Sequence, residues 1–158
     1  MSNLCILAII LTSLSPSSCF MEPTDIVQVQ KLTFFAPFDN LPSMASDSVV
    51  IQQAVVQGDL LRLTIVYQGR CQWHEFTMYT MEGFFSTDPP QVDMFLSHDS
   101  HGDHCTDQVS RVLAFDLTLL RSEYCHNWII RRCTGTVVLN ILAPGGEHLV
   151  RPSLTYDF

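Results

Sequence analysis

The stretch Val56-Gln57-Gly58-Asp59-Leu60-Leu61-Arg62-Leu63-Thr64-Ile65-Val66-Tyr67 decides how the rest of the chain is read. Leu61, Leu63, Ile65 and Tyr67 place apolar groups on one side of an extended segment, while Arg62 and Thr64 fall on the other. That alternation is the pattern of a strand with one face on a core. Gln57-Gly58-Asp59 supplies turn chemistry, so Ser48 to Val56 is expected to fold back on it as a hairpin partner.

Working outward, similar short apolar runs recur with almost no helical period. The candidate strands are Ile26 to Phe35, Ser48 to Val56, Leu60 to Tyr67, His74 to Met81, Gln91 to His98, Val109 to Leu117, Trp128 to Arg132 and Thr136 to Leu142. Between them lie Asn40-Leu41-Pro42-Ser43, Gln68-Gly69-Arg70, Asp88-Pro89-Pro90 and Pro144-Gly145-Gly146, where Gly supplies positive φ and Pro a fixed one. About eight strands at this spacing point to an all-β fold, an antiparallel β-sandwich of immunoglobulin-like type, with a barrel as the alternative.

The composition fits one domain. Of 158 residues, 47% are hydrophobic and 15% charged, which is too apolar for intrinsic disorder. A chain of about 150 residues can bury roughly 70% of its unfolded surface around a single core. Sixteen acidic residues against eight basic ones give a net charge of −8, and Arg131-Arg132 is the largest basic cluster. The attraction that carries nucleic-acid binding is therefore missing, and no nucleic-acid partner is expected.

The N-terminus reads as an export signal. Leu4-Cys5-Ile6-Leu7-Ala8-Ile9-Ile10-Leu11 is apolar and runs through small residues into Cys19. The apolar part is too short for a hydrocarbon core that needs about 20 residues of helix, so residues 1–18 are expected to be removed. Ser17-Ser18-Cys19 resembles the lipobox of bacterial lipoproteins, which implies lipid on Cys19, residues 19–25 as a linker and residues 26–158 as the domain. Pro16 stands where a lipobox has Leu and no Lys or Arg precedes the apolar run, so unlipidated cleavage near Ser18 is the alternative. The expected location is the periplasm, the membrane-anchored envelope or the extracellular space.

Four cysteines then remain, Cys71, Cys105, Cys125 and Cys133. An even number in an exported domain reads as disulfides, with three connectivities open. Cys71 with Cys105 is preferred, because each lies beside a strong turn signal. Closing that loop would stabilise the fold by about 3–4 kcal/mol, and a Cys125–Cys133 loop by about 2.5 kcal/mol. In a reducing compartment Cys71-x-x-His74 with Cys105 would instead be part of a zinc site.

The stretch from His98 to Asp107 holds three of the six histidines, at positions 98, 101 and 104. Imidazole and carboxylate suit zinc or another divalent transition metal, which makes His74, His98, His101, Asp103 and His104 candidate ligands. Parity adds to this: His98 follows Val92, Met94 and Leu96 on one strand face, and His74 shares its face with Phe76 and Met78. On neighbouring strands the two rings would meet near a Cys71–Cys105 bridge. The plainer expectation is that both histidines hydrogen-bond backbone carbonyls at the core edge and that the loop histidines are solvated. Asp99, Asp103 and Asp107 recur at every fourth position, unlike the alternating ligands of a helix-loop-helix calcium site.

Gly-x-Ser-x-Gly, phosphate-cradling Gly loops, His-Glu-x-x-His and dinucleotide fingerprints are all absent from the sequence. Gly69-Arg70-Cys71-Gln72-Trp73-His74-Glu75-Phe76, then Phe95-Leu96-Ser97-His98 through Asp103-His104-Cys105, then Phe115-Asp116-Leu117 resemble a loose group of small exported bacterial domains, lipoproteins of unknown function. The resemblance rests on Cys-x-x-His-x-Phe, Leu-x-His-x-x-x-x-Asp-x-Cys and Phe-Asp-Leu in that order, over about residues 60 to 120. It implies an exported sandwich in which Cys71 and Cys105 pair with His74, His98 and Asp103 around them. His101 and His104 lie outside the pattern. The expected function is a non-catalytic, lipid-anchored envelope domain with a structural or binding role and no cofactor. Its membrane contact would be through lipid at Cys19, and its partner an envelope protein. A metal-binding protein or metalloenzyme using the histidines of residues 74–104 is the alternative.

Overall fold

The computed structural model describes residues 27–35, 44–127, 133–144 and 153–158. The expected signal peptide, the Cys19 linker and the Trp128 to Arg132 strand lie outside these residues. Among the described residues, nine strands and one helix follow in order: β1 (Val29–Lys31), β2 (Thr33–Phe35), β3 (Val50–Gln57), β4 (Leu60–Gln68), β5 (Glu75–Met81), β6 (Gln91–Asp99), β7 (Gln108–Asp116), α1 (Thr118–Asn127), β8 (Thr136–Leu142) and β9 (Leu154–Asp157). They form two sheets, β1-β7-β4-β3 and β2-β5-β6-β8-β9. The fold is all-β, as expected.

The hairpin is where the sequence places it. Gln57 pairs with Leu60 across Gly58, whose φ is +56°. Along β4, Leu61, Leu63 and Ile65 are completely buried, and they meet Met78, Met94, Leu139 and Ile141 of the other sheet in one core. Burying such side chains stabilises the fold by about 1.5–3 kcal/mol each relative to exposure.

Pairing within the sheets differs from the antiparallel expectation. Four strand pairs are antiparallel, but β1–β7, β2–β5 and β6–β8 run parallel. The cause at the N-terminus is that the segment expected as one strand changes sheets. Leu32, 5% exposed, turns into the core, leaving β1 on the edge of one sheet and β2 on the edge of the other. For β6 and β8 the cause is their connection, which passes through β7 in the opposite sheet and then α1, long enough for a parallel return.

Helix α1 is the main departure. Asp116 accepts the Thr118 N–H at 2.9 Å, a local cap that stops β7 and starts the helix. Leu117 and Leu120 are fully buried and Tyr124 packs on the core, one face at helical spacing. A further hub closes the same end of the sandwich. The hairpin-turn carboxylate of Asp59 accepts from the Tyr156 hydroxyl and from Arg121 Nη1 at 3.2 Å, and its backbone carbonyl accepts from Leu117 N–H at 2.9 Å. Burial, reinforced by the Asp59 carboxylate, holds the Tyr156 hydroxyl pKa well above that of an ordinary tyrosine.

Candidate functional site

The opposite end of the sandwich carries His74, His98, His101 and His104. Strand β6 pairs antiparallel with β5, so Phe76 lies across from His98 and the residue two before it, His74, reaches the same edge. His98 is 1% exposed and His74 8%. Their rings stack at 5.1 Å between centroids, and the His98 ring lies flat on Phe76 at 4.5 Å and 5°. Tyr67 of β4 contacts both imidazoles from the other sheet. The disulfide Cys71–Cys105 sits beside them, and Cys125–Cys133 ties the end of α1 to the approach to β8.

Asp103 joins the bridge to the histidines. Its Oδ2 accepts the N–H groups of Cys71 and Gln72, both at 2.9 Å, and its Oδ1 accepts the Cys105 N–H at 2.8 Å. One carboxylate thus holds the backbone on both sides of the disulfide. Its Oδ2 also lies 3.2 Å from His74 Nε2, with the Asp103 side chain fully buried. The Cys105 N–H above all, then those of Gln72 and Cys71 together with His74, hold its pKa far below the usual carboxylate range against the opposing effect of burial. Gly69 makes room for this contact: a Cβ there would sit 2.5 Å from His74 Nε2, and its φ of +127° suits only glycine.

The chain of contacts continues inward. His74 Nδ1 and His98 Nε2 are 2.8 Å apart, and His98 Nδ1 lies 3.2 Å from the carbonyl oxygens of both Asp47 and Ser48. Those carbonyls belong to a segment fastened to β6 by Asp47 N–H to the His98 carbonyl, His98 N–H to the Ala45 carbonyl, and Ser97 Oγ to the same Ala45 carbonyl.

Proton positions follow from the acceptors. Nδ1 of His98 faces only carbonyls, so it carries a hydrogen. Nε2 of His74 faces an ionised carboxylate, so it carries one as well. Two lone pairs cannot face each other at 2.8 Å, so a hydrogen lies between His74 Nδ1 and His98 Nε2. Burial above all lowers the His98 pKa and keeps its ring neutral. The network is complete with His74 Nε2 donating to Asp103 and a neutral His98 donating from Nδ1 to the Asp47 and Ser48 carbonyls.

Every nitrogen of the pair is therefore engaged within the protein. Of the other candidate ligands, Asp103 lies against His74, whereas His101 and His104 are not gathered with the pair. His101, at φ +52°, stacks on Trp73 at 4.4 Å and lies 3.6 Å from Asp99, while His104 is exposed. Among the described residues, Cys71, Asp103 and Cys105 are the group whose ligand atoms lie within 4.8 Å of one another, and both sulfurs are in the bridge. The parts of the network that the sequence did not mark are Asp47, Ser48 and Gly69. Two of them act through backbone carbonyls and one through the absence of a side chain.

Two grooves flank the pair. One, of about 550 Å³, is lined by Asp47, Ser48, Tyr67, His98 and His104. The other, of about 560 Å³, has Arg70, Trp73, His74, Phe76 and Arg111 in its wall.

No protein-family model matches the chain, and no curated protein does. Solved structures do. A NigD-like immunity protein from Bacteroides caccae ATCC 43185 has a TM-score of 0.58 at 15% identity, over 82% of this chain and 65% of its own. A protein of unknown function from Bacteroides vulgatus ATCC 8482 has a TM-score of 0.49 at 22% identity, over 84% of this chain and 56% of its own. The chain thus spans less than two thirds of either structure, and the likeness to the first is one of fold.

Proposed function

We propose that the protein is an exported envelope domain, lipid-anchored at Cys19, that binds or supports a partner and has no catalytic centre of its own. The observation that carries this reading is where the buried proton chain begins and ends. It starts at a carboxylate fixed by three backbone N–H groups and stops at two backbone carbonyls, and among the described residues no Ser, Thr or Cys side chain takes part in it. An activated nucleophile needs a base with a free lone pair turned towards it, and neither imidazole offers one. The arrangement instead clamps the Cys71–Cys105 loop to the end of the sandwich. Two disulfides support an oxidising compartment, and the run into Cys19 supports the anchor. Intact-mass measurement on membrane-extracted protein should show a chain starting at Cys19 with an added diacylglyceryl group. An unmodified chain starting near Phe20 would remove the anchor, and stoichiometric zinc in protein purified without a His tag would replace the reading with the metal-binding one.

A further inference from the structure

We propose that the groove containing Trp73 and Arg111 binds a carboxylate-bearing saccharide, which names the ligand class for the binding role proposed above and rests on that role. The charge there runs against the molecule as a whole. The chain carries −8, yet Arg70 and Arg111 both line this groove, both are exposed, and among the described residues neither forms an ion pair. Arg121, by contrast, lies 3.2 Å from Asp59. The forked guanidinium donors of an arginine match the two oxygens of a carboxylate. Arg111 is further held over the Phe76 ring, 5.8 Å from its centroid, which fixes it at the groove wall.

The second feature is Trp73. Its indole is 63% exposed and is kept in place by stacking on His101. A large flat apolar face turned to water is covered well by the C–H face of a sugar ring, which leaves the sugar hydroxyls free at its edge. Exposed amides of Gln28 and Gln72 line the same groove and offer both donors and acceptors for those hydroxyls. Glu75, also in the wall, accepts hydroxyl protons and repels dense negative charge, which favours isolated carboxylates over phosphate clusters.

The test is calorimetric titration of the purified protein with uronic-acid di- to tetrasaccharides and with neutral oligosaccharides of the same linkage and length. Binding of an acidic member is expected, weakening with salt, with its neutral counterpart at least about tenfold weaker. Trp73→Ala and Arg111→Gln should each lower affinity by about tenfold or more while leaving the melting temperature near that of the wild type. Absence of millimolar binding across the acidic panel, equal binding of the neutral sugars, or unchanged affinity in both variants would overturn the proposal. Any of these outcomes leaves the non-catalytic envelope reading standing, since mass and metal analysis test that separately.

Discussion

Replacing His98 separates the two things its ring does. The residue is 1% exposed, stacks on Phe76, accepts from His74 Nδ1 and donates from Nδ1 to the carbonyls of Asp47 and Ser48. His98→Phe keeps a ring of similar size but removes both nitrogens. Asp47 and Ser48 lie in an exposed segment where water can replace the lost donor, whereas His74 Nδ1 is left buried without a partner. An unpaired buried polar group costs about 1–3 kcal/mol. His98→Ala removes the ring as well, and the lost packing adds about 2 kcal/mol, for about 3–5 kcal/mol in all. For a chain of this length each kcal/mol is worth about 2–4 °C, so the melting temperature should fall by about 2–12 °C in the first variant and about 6–20 °C in the second. Urea and thermal unfolding without reductant, with and without added zinc, measure both. A His98→Phe protein as stable as the wild type would refute the network's stabilising role. Zinc-dependent stabilisation of the wild type that vanishes in both variants would show that the histidines are ligands.

Acid should weaken the network in two steps. The folded-state pKa of His98 is lowered from 6.5, so below that pH the unfolded chain binds a proton that the native one excludes, and stability falls as pH drops from 6.5 toward the folded value. Asp103 and Asp47 are lowered from 3.8, so their contribution is present above that pH and lost below it. Urea midpoints at pH 7.5 and 5.5 should differ, and His98→Phe should reduce the difference; an unchanged difference would contradict the assignment. Gly69→Ala meets both a positive φ and the His74–Asp103 contact, and should cost at least about 1–3 kcal/mol in the same unfolding assay. Asp59→Ala strands the fully buried Tyr156 hydroxyl and should cost about 1–3 kcal/mol, most of it absent when Tyr156→Phe is already in place, as a double-mutant cycle would measure.

The legible parts of the fold are those encoded by neighbours in sequence. Gly58 and the alternation from Leu61 to Tyr67 specify the hairpin without help from the rest of the chain. Strand β9 carried the same signal, Leu154 and Tyr156 alternating with Thr155 and Asp157, in a segment too short to stand out. The helix was hidden because Phe115-Asp116-Leu117-Thr118-Leu119-Leu120 reads as a continuing apolar run. Its beginning depends on a single Asp116 cap, and its buried face covers only two turns. Nor does anything in Ile26 to Phe35 say that Leu32 is a crossing between sheets, since that depends on which strands offer a free edge. At the site, strand parity was enough to bring His74 and His98 together. The role of Asp103 was not legible, because it depends on N–H groups from residues 71, 72 and 105 that converge only when the bridge loop closes.

The most direct test of the network is a long-range nitrogen–proton correlation spectrum of the histidine side chains at neutral pH, recorded with and without one equivalent of zinc. His98 is expected to be neutral with its hydrogen on Nδ1, and zinc is expected to shift neither ring. A His98 with its hydrogen on Nε2, or zinc-induced shifts at the nitrogens of this pair, would contradict this assignment.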